Sequence, residues 1–262
     1  MSERDDPAAL RARAVVGIQP VREVLRVRGA EVARLFVERS ESPRLAAVAR
    51  FATDRGVPVE VVSRVRLDQL SRGVQHQGVV ALAPDLPIVP LDQLMQPDAA
   101  LVLLDGITDP HNFGAAIRSA VALGSGGVVF GANQAAPLSA ATFRTSAGAI
   151  EHAELCRVPS LRGAVEALVA GGVTVVSLEA DAEASLGDLD LTGPAAVVIG
   201  SEDKGVGRAV RKSCSARARL PMSGRLDSLN ASVASAVALY EIRRQRGGTP
   251  PSRFEATDDE GS

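Results

Sequence analysis

The sequence is poor in aromatic residues and in cysteine. Its 262 residues include six Phe, one Tyr and no Trp, so the core must be built from Ala, Val and Leu, and little material remains for stacking on nucleic-acid bases. The two cysteines, Cys156 and Cys214, have no CxxC partner and no nearby pair of histidines. This excludes the usual patterns of a metal site and of a disulfide framework, so we expect no metal and two ordinary, at least partly buried thiols.

The pattern of a signal peptide and long apolar runs are also missing from the residues of this sequence. The first residues, MSERDDPAALRARAVVG, lack the basic-then-apolar order of a signal peptide, and no run approaches the roughly 18 apolar residues that a membrane span needs. We therefore expect a soluble, cytoplasmic protein with no membrane partner. With 46% apolar residues the chain is long enough for two domains with their own cores.

A large excess of one charge is absent, because the formal net charge is −2. A nucleic-acid partner is not excluded, since the charges are unevenly distributed. Residues 1–84 carry 14 Arg against 10 acidic residues, and residues 204–226 contain seven basic residues and no acid. From charge alone, these basic stretches suit either phosphate contacts or solvated helix faces.

The apolar pattern predicts two α/β domains separated by a proline-rich linker. In the first half it predicts strands over 33–37, 57–62 and 78–82, and helices starting at Pro20 and covering 43–53 and 67–71. Four prolines between 84 and 98 indicate a linker. Beyond it, continuous apolar runs predict strands over 101–104, 127–130, 173–177 and 195–199, as in a mostly parallel sheet covered on both faces. The polar, acidic end after 247 is expected to be a disordered tail.

Three loops after these strands combine glycines with polar side chains, at the edge where open α/β sheets bind ligands. In the first, Asn112 is predicted to cap a helix that begins near Phe113, and Arg118 lies on an apolar segment, where a salt bridge to an acid is its simplest role. The second runs from Gly200 to Gly207 and lacks both the Walker A ending and the GxGxxG spacing. In the third, Ser228 or Asn230 is predicted to cap a helix rich in small residues.

Taken in this order, the three loops resemble the three motifs of the SpoU/TrmH family of RNA ribose 2′-O-methyltransferases, within the SPOUT superfamily. The segments are NFGAAIR (112–118), IGSEDKG (199–205) and LPMSG…SLNASVA (220–234). One departure is Asp203, which stands where the family usually has Gly. The segments GIQPVREVL (17–25) and QHQGVVA (75–81) are similar to those that bracket the small RNA-recognition domain of the branch that modifies 23S ribosomal RNA.

The resemblance implies a two-domain fold. It consists of an L30e-like RNA-binding domain over 14–83, a linker over 84–98, a SPOUT catalytic domain with a C-terminal trefoil knot over 99–247, and a tail over 248–262. It implies S-adenosylmethionine as methyl donor, a guanosine of 23S ribosomal RNA as substrate, and a homodimer whose site can borrow Arg118 across the interface.

The resemblance also assigns the site residues. Backbone groups of Gly200, Leu220 and Leu229 are expected to bind the donor. Arg118 is expected to bind the phosphate next to the target and to stabilise charge on the 2′ oxygen rather than to act as a base, since a guanidinium stays protonated. The residues expected to orient the 2′-hydroxyl are Asn112, Glu202, Ser228 and Asn230. The residues expected to contact RNA are Arg22, Gln77, Lys204 and Arg225.

Other interpretations remain open. Transfer RNA is an alternative substrate, because the catalytic motifs are shared with enzymes that act on it. A non-catalytic RNA-binding protein of the same fold is a second alternative, and Asp203 is the one feature in its favour. A nucleotide-dependent α/β enzyme such as a dehydrogenase is a third, although its glycine fingerprint is missing.

Overall fold

A computed structural model describes residues 12–133, 135–224, 226 and 228–248. The described residues fall into two compact units. The first contains the residues up to Pro87 together with Pro137–His152, and the second contains Ile88–Ala136 and the residues from Ala153 onward. The predicted tail after Gly248 lies outside the described residues.

Strands and helices alternate along the chain. The strands are β1 (Arg13–Val16), β2 (Arg34–Glu38), β3 (Val59–Val62), β4 (Val79–Ala83), β5 (Ala100–Asp105), β6 (Gly127–Gly131), β7 (Leu155–Val158), β8 (Thr174–Leu178), β9 (Ala195–Gly200) and β10 (Ala216–Ala218). The helices are α1 (Ile18–Arg28), α2 (Pro43–Asp54), α3 (Arg64–Ser71), α4 (Pro110–Ala122), α5 (Ala140–Thr145), α6 (Leu161–Ala170), α7 (Arg208–Ser213) and α8 (Ala231–Gln245). The sequence predicted a strand that ends at Gly17, which is β1, whereas β7 and β10 were not predicted among the described strands.

The first unit is built on a four-stranded sheet in the order β1-β4-β2-β3. Strands β2 and β3 are parallel, and β4 is antiparallel to β1 and β2. Helices α1 and α2 bury Val24, Leu25 and Val48 against one face of the sheet. On the other face, Leu67 of α3 packs with Phe36 and Val80. Alternation of side chains along the strands thus gives this small unit a core on both faces.

Residues 137–152 pack within the first unit, although the sequence predicted a catalytic domain that runs through them from 99 to 247. Glu151, whose side chain is 1% exposed, receives a 2.6 Å hydrogen bond from Arg13 Nη2, and Arg28 Nε lies 3.7 Å from the same oxygen. His152 Nε2 lies 3.0 Å from Glu23 Oε2. Charge pairs between residues more than 100 positions apart are not visible in a sequence pattern.

The second unit contains a six-stranded sheet in the order β10-β8-β9-β5-β6-β7, and every neighbouring pair is parallel. The α/β fold class with a mostly parallel sheet is thus confirmed. Leu101 and Leu103 of β5 belong to a core with α6 and α7, whereas Phe130 of β6 meets Phe113 of α4 edge-on, with ring centroids 5.2 Å apart. Helix α8 packs on α4 and on the central strands β5 and β9.

One buried side chain and one set of hydrogen bonds connect the ends of the second unit to its sheet. Part of the predicted linker is ordered, because Leu91–Leu94 form a 3₁₀ turn in which Leu94 is fully buried. Just after α8, the Arg246 guanidinium donates to the carbonyls of Asp98, Ala99 and Leu191. Within the part of the chain that the structure describes, no helix is long and apolar enough to cross a membrane.

Candidate active site

Helix α4 begins earlier than the sequence predicted, and this changes the role of Asn112. Its cap is Asp109, whose carboxylate accepts from the amides of His111 and Asn112, and Pro110 occupies the first turn. The prediction that Asn112 caps a helix near Phe113 is therefore wrong. Because Asp109 has taken the capping role, the Asn112 side chain makes contacts outside its own helix.

The glycine-rich loop after β9 turns back sharply on itself. Gly205, with φ +61°, donates its amide to the Ser201 carbonyl at 2.8 Å. A Cβ at Gly200 would overlap the backbone of Gly205 and Val206, so this position requires glycine. Asp203, the departure from the family pattern, does not have a positive φ. Its side chain is thus accommodated without backbone strain, because the left-handed residue of the turn is Gly205.

Helix α8 begins at the cap predicted for it. Asn230 Oδ1 accepts from the Ser232 amide at 3.0 Å and from Ser232 Oγ at 2.6 Å. The two amide protons of Asn230 remain for other partners. Of the two predicted candidates, Asn230 is thus the cap, and Ser228 lies just before it in the chain.

Asn112, Glu202 and Asn230 form one hydrogen-bonded cluster from three separate motifs. Glu202 Oε1 accepts from Asn112 Nδ2 at 3.1 Å and from Asn230 Nδ2 at 2.5 Å. Asn230 Nδ2 also donates to Asn112 Oδ1 at 2.9 Å. Glu202 Oε2 has no hydrogen bond to any described residue, and the side chain is exposed. The cluster therefore holds one carboxylate oxygen and leaves the other accessible.

A cavity of about 260 Å³ lies beside this cluster. Its lining includes Gly200, Leu220 and Leu229, the three residues expected to bind the methyl donor, together with Glu202 and Ser228. Small residues of α8, Ala231 and Ala234, complete one wall, and Leu178–Ala180 after β8 form another. The sequence analysis did not single out this last segment, because nothing in its pattern marks it as part of a site.

Arg118 is not among the residues that line the cavity. It lies six residues beyond Asn112 on α4, about 9 Å further along the helix axis. Its side chain is exposed and makes no ion pair with any residue that the structure describes, so the salt bridge favoured from sequence is not formed among them.

The residues predicted to contact RNA have different surroundings. Arg22 and Lys204 are exposed. Gln77 has a structural contact, because its Oε1 accepts the Ile18 amide at 3.0 Å at the start of α1. Arg225 lies outside the described residues.

The basic stretch from 204 to 226 is partly neutralised within the second unit. Arg211 lies 3.5 Å from Glu179, Arg217 pairs with Asp181 at 2.8 Å, and Arg219 donates to backbone carbonyls. Lys204, Arg208 and Lys212 are exposed, and none forms an ion pair with a described residue. Three free cations are therefore available at this surface.

No cluster of three His, Cys, Asp or Glu side chains suited to a metal ion occurs in the described ranges. The two thiols are buried or half-buried, as expected. Burial raises the pKa of Cys214 to about 11, and the nearby Glu179 carboxylate adds to the increase. Both effects disfavour the thiolate.

Two family profiles together match most of the chain. The SpoU rRNA methylase family matches residues 99–240, and the family described as RNA 2′-O ribose methyltransferase substrate binding matches residues 14–88. The chain belongs to the SpoU rRNA methylase family. It is therefore an RNA methyltransferase of the SpoU class, as the three motifs indicated.

Individual relatives agree with this assignment. An uncharacterized tRNA/rRNA methyltransferase of Mycobacterium sp. (strain KMS) is 39% identical over 88% of this chain and 76% of its own. The crystal structure of the SpoU methyltransferase AviRb from Streptomyces viridochromogenes has a TM-score of 0.76 at 29% identity and covers 94% of each chain. A second AviRb structure contains AdoMet, with a TM-score of 0.75, 29% identity and coverage of 95% of this chain and 96% of that one.

Proposed function

We propose that this SpoU enzyme transfers the methyl group of S-adenosylmethionine to a ribose 2′-hydroxyl of RNA, at a guanosine of 23S ribosomal RNA. The observation that carries the proposal is the Asn112–Glu202–Asn230 cluster beside the cavity of Gly200, Leu220 and Leu229. The AdoMet complex of AviRb and the substrate-binding profile over residues 14–88 support the donor and the RNA substrate.

The lining of the cavity fits a donor that is held mainly by backbone groups. Gly200 has no side chain, and alanines 231 and 234 leave the backbone of the site open to a ligand. Leu178, Ile199 and Met222 supply apolar surface for an adenine ring. S-adenosylmethionine would supply an electrophilic methyl group: its bond to sulfur breaks as the bond to the 2′ oxygen forms, and S-adenosylhomocysteine leaves. The proton of the hydroxyl would pass to Glu202 Oε2 and from there to water.

The cluster provides orientation of the hydroxyl. Glu202 Oε1 is fixed by two side-chain amides, so the free Oε2 has a defined position. We propose that Oε2 accepts the hydrogen bond of the 2′-hydroxyl and directs a lone pair of the 2′ oxygen at the methyl carbon, with Ser228 beside it. Such positioning contributes to the rate because the reacting atoms need not be aligned anew at each turnover.

Arg118 is proposed to bind the phosphate next to the target and to stabilise negative charge that develops on the 2′ oxygen. Because it lies outside the lining of the cavity in its own chain, we propose that it acts across a homodimer. A stripe of exposed apolar side chains on α8, Val233, Val237 and Tyr240, supports a dimer surface. Arg118→Lys should lower turnover at saturating RNA by at least about 10-fold, and nearly full turnover would remove this role.

The remaining assignments belong to the same proposal. The L30e-like domain over 14–83 supplies Arg22 and Gln77, and the second unit supplies Lys204 and Arg225, for RNA contacts. The linker over 84–98 and a cytoplasmic location are proposed from the sequence itself, and the catalytic domain with its trefoil knot is proposed from the family resemblance.

The experiment is transfer of tritiated methyl from S-adenosylmethionine to total RNA from a strain that lacks the gene, followed by separation of the RNAs and nucleoside analysis. Label in 23S RNA as a 2′-O-methyl nucleoside supports both the reaction and the substrate. Label in transfer RNA keeps the reaction and changes the substrate. Donor binding without any label on RNA would contradict the proposal and favour a non-catalytic RNA-binding protein.

A further inference from the structure

A second cavity of the second unit lies at the carboxyl ends of β5, β6 and β7. Its volume is about 280 Å³, just below the usual range of small-molecule sites, which is about 300 to 1,000 Å³. Its apolar walls are Leu104, Ala132, Pro159, Leu161 and Val210. Its polar lining comes from Asp105, Asn133, Ser160 and Arg162. A site of this size and lining suits one flat, partly polar ring system.

The two cavities adjoin one another through the glycine-rich loop. Gly106, which lines the second cavity, lies against Ser201, which lines the first, since a Cβ at Gly106 would lie 3.8 Å from Ser201 Cβ. Asp105 of the second cavity also contacts this loop, because its Oδ2 accepts the Gly207 amide at 2.7 Å. The linings of the two cavities therefore approach one another at Gly106 and Ser201, within the length of one nucleotide.

Asp105 is the one acidic side chain in the lining of the second cavity, and Asn133 is another polar side chain there that has no described hydrogen-bond partner. Arg162 is already paired with Glu166 at 2.8 Å, and Ser160 Oγ already accepts the Gly163 amide. Asp105 forms no ion pair with a described residue, and only its Oδ2 has a described hydrogen-bond partner. An anionic carboxylate of this kind repels phosphate and attracts a group with N–H donors.

We propose that this cavity binds the flipped-out base of the target nucleotide and that Asp105 selects guanine. Among the four RNA bases, only guanine has two adjacent N–H donors, N1–H and the 2-amino group, on its Watson–Crick edge. Asp105 Oδ1 is open to one of these donors, and Oδ2 can accept the other with the lone pair that the Gly207 amide leaves free. In adenine and cytosine an acceptor nitrogen lies next to the amino group, and uracil has one donor between two carbonyls. Enzymes that act on single nucleotides commonly read an extruded base on this edge. The proposal rests on the proposed function and deepens it.

The test is Asp105→Asn in the full chain, assayed with the same total RNA. The Asn carbonyl oxygen can still accept from Gly207, so the loop contact is retained, but an amino group replaces one acceptor. We expect wild-type label in 2′-O-methylguanosine, a fall in kcat/KM of about 10- to 100-fold in the variant, and an unchanged donor Kd. Asp181→Asn, which removes an exposed carboxylate outside both cavities, is the matched control and should retain wild-type kcat/KM.

A second measurement does not depend on the folding of a variant. The target guanosine is replaced by inosine, which lacks the 2-amino group, in a transcript of the labelled region. We expect the wild type to methylate inosine about 10-fold less efficiently than guanosine. In Asp105→Asn we expect a smaller difference between the two nucleosides.

The outcomes separate this inference from the function on which it rests. Guanine selection is overturned if the label is found in a 2′-O-methyl nucleoside other than guanosine. It is also overturned if the wild type methylates inosine and guanosine equally well. In both cases the proposed methyl transfer to RNA is unaffected. Absence of label from every RNA overturns the proposed function and this inference together.

Discussion

The side-chain amide of Asn230 donates a 2.5 Å hydrogen bond to Glu202 Oε1 while its carbonyl oxygen caps helix α8. One residue therefore both starts a helix and fixes a carboxylate of the candidate site. Since these roles use different atoms of the same amide, substitutions can separate them.

Asn230→Asp should retain the cap and lose methyl transfer. The substitution keeps an oxygen for the Ser232 amide but places a second anion against Glu202, so we expect kcat to fall by at least about 10-fold. Asn230→Ala should lose both roles and about 1 kcal/mol of stability. The control is Ser63→Ala, which removes the cap of α3, outside both cavities, at a similar cost in stability. If it lowers methyl transfer as much as Asn230→Asp does, the cluster has no specific role.

Gly200→Ala should weaken donor binding. The added Cβ would overlap the backbone of Gly205 and Val206, so we expect a cost of about 1–3 kcal/mol in unfolding free energy and at least about a 10-fold rise in donor Kd by calorimetry. Gly193→Ala is the control, because a Cβ there meets nothing within 4 Å. If Gly200→Ala binds the donor with wild-type affinity, the glycine-rich loop must shift to accommodate the added Cβ, and this prediction is wrong.

Arg246→Ala should destabilise the enzyme by roughly 3 kcal/mol in urea denaturation. The guanidinium donates to the carbonyls of Asp98, Ala99, Leu191 and Gly193, and the substitution removes all four hydrogen bonds. Arg243→Ala, which removes one exposed bond to Gly248, should cost less than about 1 kcal/mol. Similar midpoints for the two variants would contradict this prediction.

Glu151→Gln should destabilise the first unit by about 3 kcal/mol, because it leaves the buried guanidinium of Arg13 without its counter-charge. Glu60→Gln breaks the exposed pair with Arg34 and should cost at most about 1 kcal/mol. Thermal or urea denaturation of the full chain compares them. Equal losses of stability in the two variants would mean that burial does not increase the contribution of the Arg13–Glu151 pair to folding.

Cys214 should react slowly with iodoacetamide in the folded enzyme. With burial raising its pKa to about 11, only about 0.1% of the thiol is ionised at pH 8, and the rate should rise about 10-fold per pH unit until pH approaches that pKa. Glu179→Gln should increase the rate at pH 8, since the carboxylate raises this pKa, whereas Glu183→Gln should not. A rate equal to that of the urea-unfolded chain would show that the thiol is not shielded.

The sequence by itself was enough to predict most of the secondary structure of this protein and to identify its three motifs. Continuous apolar runs predicted the buried central strands β5 and β9, because strands covered on both faces need no polar residues. The same runs placed Gly200 and Asn112 after strands of one sheet. The short strands β7 and β10 were missed, since their positions depend on neighbours in the sheet rather than on their own pattern.

Tertiary structure decided what the sequence could not. The competition between Asp109 and Asn112 for the cap of α4 depends on where the helix begins, and this freed Asn112 to contact Glu202, 90 positions away. The packing of Glu151 with Arg13 likewise placed residues 137–152 in the first unit. Local periodicity reports only which side of an element is apolar, whereas hydrogen bonds between distant polar side chains exist only once the sheet has brought their loops together.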